Sequence, residues 1–182
     1  MLLFGVPEDD ISIGPDGRLY VHLGDGFNSG TALNLGQFRG KILRLNLDGT
    51  PVNTNPFYNA GDGISARDYV YAYGFRNPFG GAWRFSDSNH FFVEPGNGIA
   101  RMGRALSGQS YGWNGSDGSL IPAALYVWNP DVAPVNVAII QQQSFTGSGF
   151  PLPYRDRVYV TQSGPTAEVG PGTEEKIGPG EE

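Results

Sequence analysis

The sequence predicts an all-β fold, a β-propeller or a β-sandwich, and three observations carry that expectation. Short apolar runs alternate with a period of two, as half-buried strands do. Glycine and proline are dense, 28 and 14 among 182 residues, which favours many short strands joined by turns over long helices. A polar turn followed by an apolar triplet recurs as Leu19-Tyr20-Val21, Phe91-Phe92-Val93 and Val158-Tyr159-Val160. The spacing, about 70 residues, exceeds one propeller blade of roughly 40–50 and fits blades enlarged by long loops.

Taken in order, Ile11 and Ile13 alternate, Gly14-Pro15-Asp16-Gly17 is a turn signal, and Leu19, Val21 and Leu23 alternate again. That pattern is a hairpin. Residues 24–37 are polar and glycine-rich, a loop with room for a helical turn. Lys41 to Leu47 sets Ile42, Arg44 and Asn46 against Leu43, Leu45 and Leu47, a strand closed by Asp48-Gly49. A long turn-rich connection follows over 51–65.

The stretch 68–84, DYVYAYGFRNPFGGAWR, organises the middle of the chain. Tyr69, Tyr71 and Tyr73 are expected on one side of a strand, with Val70 and Ala72 on the other. Pro78 cannot donate to a ladder and Gly80-Gly81 permit tight backbone, so this strand is expected to end there. Arg76 and Asn77 then sit at a strand end, able either to reach a ligand or to satisfy loop groups. Phe91 to Val93 reads as a short strand, residues 99–106 as a short helix, and 114–118 as a loop. Val135 to Phe145 and Arg157 to Thr161 read as further strands. Residues 165–182 are almost all Gly, Pro, Thr and Glu, a tail expected to be poorly ordered after a domain over 1–164.

Composition excludes several functions. The net charge of −6 without a Lys/Arg cluster disfavours nonspecific nucleic-acid binding. No apolar run is long enough to span a membrane. With 0 cysteines there are no disulfides, thiolate metal sites or cysteine nucleophiles. His22 reads as a strand-face histidine with a structural or surface role, its nearness to Asp25 leaving a site role open, and His90, after a polar turn, as solvent-facing. Trp83, Trp113 and Trp128 suit either sheet interfaces or stacking on a sugar ring.

Several segments in order carry a family resemblance: GPDGRLYVHLGDG at 14–26, RGKILRLNLDG at 39–49, NPFYN at 55–59, and YVYAYGFRNPFGGAWR at 69–84. They continue with FVEPGNG at 92–98, SYGWNGSDG at 110–118, APVNVAI at 133–139 and SGFPLPYRDRVYVTQSG at 148–164. The set resembles the glucose/sorbosone dehydrogenase family, whose soluble members are six-bladed propellers using pyrroloquinoline quinone and calcium. The resemblance implies a partial β-propeller, about three blades of that ring, so the chain reads as a fragment completed by further blades. It also implies a small sugar or alcohol as substrate and a periplasmic or extracellular location.

In the family a histidine takes the hydroxyl proton while hydride passes to the quinone, an aspartate orients the histidine, and an arginine stabilises charge on the cofactor. By motif, Asp25 falls on the orienting aspartate, although a turn aspartate bonding backbone amides would look the same. Arg76 and Asn77 match the cofactor-contacting pair, Arg76 with a catalytic role as well. Gly96 and Asn97 fall where backbone carbonyls hold calcium. The base position falls on Val6, which cannot accept a proton, and no motif puts Glu8, Asp9 or Asp10 in its place. The acidic residues expected after the calcium turn are absent from Ile99 to Arg104. An active enzyme from this polypeptide alone is therefore not expected, and a non-catalytic extracellular binding or adhesion propeller is the alternative.

Overall fold

The computed structural model describes residues 10–142 and 150–164. Val6, Glu8 and Asp9, and the tail over 165–182, lie outside them. Within the described residues every sheet is antiparallel, and the helical segments are four short 3-10 turns. The architecture is a partial β-propeller of about three blades.

The first blade is a four-stranded meander of β1 (Ile11–Ile13), β2 (Leu19–Leu23), β3 (Lys41–Leu45) and β4 (Val70–Tyr73). Tyr20, His22 and Ile42 face the second blade, while Val21, Leu23 and Leu43 face away from it. The tyrosines do not share one side as the alternation suggests. A bulge between Ile42 and Leu43 pairs these neighbours with Ala72 and Val70, skipping Tyr71. Tyr71 and Ala72 therefore join the core between the blades, whereas Tyr69, Val70 and Tyr73 join the opposite face.

The second blade comprises β5 (Gly80–Arg84), β6 (Asn89–Pro95), β7 (Ala100–Ala105) and β8 (Tyr126–Trp128). Gly80-Gly81 opens a strand instead of only closing one. A Cβ on Gly80 would stand 2.5 Å from the Val135 carbonyl, so glycine lets β5 pack against β9 (Pro134–Ile139) of the third blade. β9 pairs with β10 (Val158–Gln162). The segment expected as a helix is the strand β7. Its helix-forming Arg, Met and Ala are overridden by sheet pairing, with Gly103 lying under the Phe92 ring, 2.4 Å from where a Cβ would stand.

Two polar pairs are sealed between the first two blades. His90 is not solvent-facing: it is 1% exposed and stacks on Trp83 at 4.4 Å, because the polar turn ends one residue earlier and His90 already points inward with Phe92. His22 Nδ1 lies 3.1 Å from the Pro78 carbonyl and must donate to it, so its Nε2 accepts from His90 Nε2 at 3.3 Å. Asp10 lies alongside, its carboxylate accepting from Gly81 N and its carbonyl from His22 N. Glu94 and Arg101, opposite each other on β6 and β7 and both fully buried, form the second pair at 2.6 Å. The Arg101 guanidinium also donates to the carbonyls of Tyr111 and Leu120 and lies over the Phe92 and Tyr111 rings.

Both pairs have measurable consequences. Arg101→Met, which strands the Glu94 carboxylate, is expected to cost roughly 3–5 kcal/mol in urea unfolding, and adding Glu94→Gln should restore part of it. Burial holds His22 and His90 neutral, with pKa values below the ordinary 6.5; the Asp10 charge opposes this for His22 and the neighbouring His22 reinforces it for His90. Their depressed folded-state pKa values make a stability contribution that is complete above the unfolded value and lost as pH falls below it. The urea midpoint should drop between about pH 7 and 5, and His90→Gln should flatten that drop; an unchanged slope would remove the pair as its source.

Candidate functional site

The loop after β2, the connection from β4 to β5, the end of β6 and the segment after β7 meet at one end of the blades. There they enclose a cleft of about 420 Å³. Asp25, the adjacent Arg76 and Asn77, and Asn97, singled out in the sequence on three segments, all line it. The backbone joins the first two directly: Asp25 N donates to the Arg76 carbonyl at 2.7 Å.

Each polar group is held by its neighbours. Asp25 is buried; Oδ2 accepts from the Trp113 indole at 2.7 Å and Oδ1 from Phe27 N at 2.9 Å. The carboxylate thus acts partly as the turn aspartate and partly as the anchor of a cleft wall. Among the described residues no histidine meets it, since His22 is committed to Pro78 and His90. The half-buried Arg76 donates from Nη1 to the Pro95 carbonyl at 2.9 Å and from Nη2 to Asn97 Oδ1 at 3.0 Å. Its guanidinium carbon lies 5.9 Å from the centre of the Trp113 ring. The backbone N–H groups of Arg76 and Asn77 both donate to Glu94 Oε1, the latter at 2.8 Å, so the buried Glu94–Arg101 pair sets the height of this segment in the cleft.

The Asp25 loop has its own support. Lys41 is fully buried and its ammonium donates to the carbonyls of Thr31, Ala32 and Arg39 at 2.7–2.9 Å. Burial lowers its pKa to about 8, and the three carbonyls solvate the charge in place of water. Asp117 supports the opposite wall, accepting from Asn97 N and Gly98 N. Gly96 sits in a turn where a Cβ would lie 2.0 Å from the Ile99 carbonyl.

Sequence reasoning did not single out Glu94, Lys41 or Phe27, and read Asp117 only as part of the 114–118 loop. Trp113 was recognisable only as an aromatic that could line either a site or an interface. Trp83 and Trp128 take the interface role, packing between the first and second blades and between the second and third.

The chemistry of the cleft suits a flat anionic ligand, with one guanidinium, two amide side chains and aromatic walls. It suits a metal less well. Among the described residues no group of three or more His, Cys, Asp or Glu could hold an ion. At the turn of Gly96 and Asn97, Arg76 already takes Pro95 O and Asn97 Oδ1, while both Asp117 oxygens are occupied by backbone amides.

The glucose/sorbosone dehydrogenase family profile matches residues 8–150. The protein slr1608 of Synechocystis sp. is 31% identical over 146 residues, covering 71% of this chain and 35% of that protein. Aldose sugar dehydrogenase YliI of Escherichia coli is 32% identical over 98 residues, or 53% of this chain and 26% of that one. Among solved structures, the PQQ-bound aldose sugar dehydrogenase of Streptomyces coelicolor superposes with a TM-score of 0.58 at 30% identity, covering 73% of this chain and 41% of its own. The chain spans about a third of slr1608 and a quarter of YliI. With the profile covering most of its length, the chain belongs to the glucose/sorbosone dehydrogenase family.

Proposed function

We propose that this chain supplies the cofactor-holding cleft of a quinone-dependent sugar or alcohol dehydrogenase. The single observation that carries the reading is the convergence of Arg76, Asn77 and Asp25 on one cleft with an indole beneath the guanidinium. Pyrroloquinoline quinone, when bound, supplies a two-electron acceptor for the hydride of the alcohol carbon. Arg76 is placed to meet a carboxylate or a developing oxyanion, and Pro95 and Asn97 hold it in an orientation that needs no rearrangement on binding. Asn77 offers an amide at the same wall, and Trp113 excludes water behind them.

Calcium on the backbone carbonyls of Gly96 and Asn97 stays part of this reading, since Arg76 takes the neighbouring Pro95 carbonyl and the Asn97 side chain and neither of those two carbonyls. Turnover requires a base, and position 6 is a valine. We therefore propose that catalysis belongs to the protein containing the remaining blades. We place that protein in the periplasm or outside the cell; among the described residues no helix is long and apolar enough to cross a membrane.

A second reading has an observation in its favour. Both Asp25 oxygens are engaged by Trp113 and Phe27 N, leaving none turned to a histidine among the described residues. This suits a propeller that binds a ligand without oxidising anything.

Titration of the chain with pyrroloquinoline quinone, followed by tryptophan fluorescence, should show saturable quenching. Arg76→Ala should weaken binding about tenfold or more with little change in melting temperature; equal binding by variant and parent would take Arg76 out of the site. Dye reduction with aldoses and alcohols by the protein carrying all its blades separates the two readings: quinone uptake without turnover selects the binding module.

A further inference from the structure

The most exposed large apolar side chain among the described residues is Phe27, 96% accessible, and it lines the cleft. Its backbone is as unusual as its exposure. Asn28 N donates to the Asp25 carbonyl, closing a turn whose central residues Gly26 and Phe27 have φ of +63° and +61°. Two successive positive φ values define a turn position that glycine, asparagine or aspartate fills without strain. A bulky aromatic there is an outlier. Four non-glycine residues among those described have positive φ, and the other three are Ser88, Ala133 and Asp156, all small or polar. Among the described residues nothing packs on the ring to explain the phenylalanine. The strain is held in place from below: Phe27 N is fixed by Asp25 Oδ1, whose other oxygen is fixed by Trp113.

An apolar ring held in a strained backbone, at the lip of a cleft that also carries a guanidinium, matches a ligand with an apolar face and a negative edge. We propose that Phe27 is the ring-packing platform of this cleft, recognising a flat conjugated carboxylate ligand whose anionic edge meets Arg76. The assignment rests on the quinone-binding reading of the cleft and extends it to a residue that sets ligand class. A sugar ring, which has hydroxyls on its edge and no negative charge, uses only half of this arrangement.

The strain gives the test opposite signs for stability and binding. Calorimetric titration with pyrroloquinoline quinone and thermal melting without ligand are run on the parent, Phe27→Gly and Phe27→Tyr. Glycine relaxes the turn and removes the ring, so Phe27→Gly should melt no lower than the parent while its Kd rises about 3–10-fold. Phe27→Tyr, which keeps the ring, should match the parent in both. Unchanged affinity in Phe27→Gly overturns the proposal, as does weakened affinity accompanied by a lower melting temperature, the mark of a structural residue. A tyrosine variant as weak as the glycine one overturns it too. A parent that takes up no quinone refutes the reading of the cleft and this proposal with it, an outcome distinct from a parent that binds as well as its glycine variant.

Discussion

The cleft depends on the buried Glu94 carboxylate. A carboxylate removed from water must be neutralised and hydrogen-bonded, or it is lost from the interior. Glu94 meets both requirements by reaching in two directions. One oxygen binds the Arg101 guanidinium across the β6–β7 ladder, and the other collects the N–H groups of Arg76 and Asn77. The same charge that closes a gap in the second blade therefore positions the connection arriving from the first. Arg101 extends the network to Tyr111 and Leu120, at either end of the segment that carries Trp113. One ion pair thus serves two walls of the cleft.

The Asp25 wall is built by different means. Among the described residues no carboxylate balances Lys41; three backbone carbonyls do, all from the loop between β2 and β3. The ammonium gathers the chain between β2 and β3, and the Asp25–Trp113 hydrogen bond then spans from that loop to the opposite side. A buried cation on each side, one paired with an acid and one with carbonyls, lets flexible glycine-rich loops present side chains at fixed positions.

Local patterns made the strands legible, and long-range partners decided the rest. The hairpin of Ile11 to Leu23 follows from alternation around a Gly-Pro-Asp-Gly turn, and the blade order follows from the family motifs. Asp25, Arg76, Asn77 and Asn97 were found through those motifs, since a turn aspartate and a site aspartate look alike in sequence; here Asp25 is bonded both as a turn residue and as a wall residue. Residues 99–106 read as a helix because Arg, Met and Ala favour one locally, while the strand is selected by pairing with β6 and by the Phe92 ring over Gly103. His90 read as exposed because its preceding turn is polar, yet the flat face of Trp83 buries it. Glu94 was invisible for a similar reason: nothing in Val-Glu-Pro-Gly shows that an arginine seven positions on lies directly across the ladder.

The bulge between Ile42 and Leu43 carries a consequence for how the sheet can fail. With one residue unmatched, β4 contributes Tyr71 and Ala72 to one layer and Val70 and Tyr73 to the other, so neither layer can be filled if the strand slides. An ordinary outer strand can trade one alignment for another that differs by two positions and keep its inward set. β4 has no such neighbour in alignment space. The irregularity works as a keyway: it admits a single seating of the strand, and so fixes how far along the ring the Arg76 connection begins.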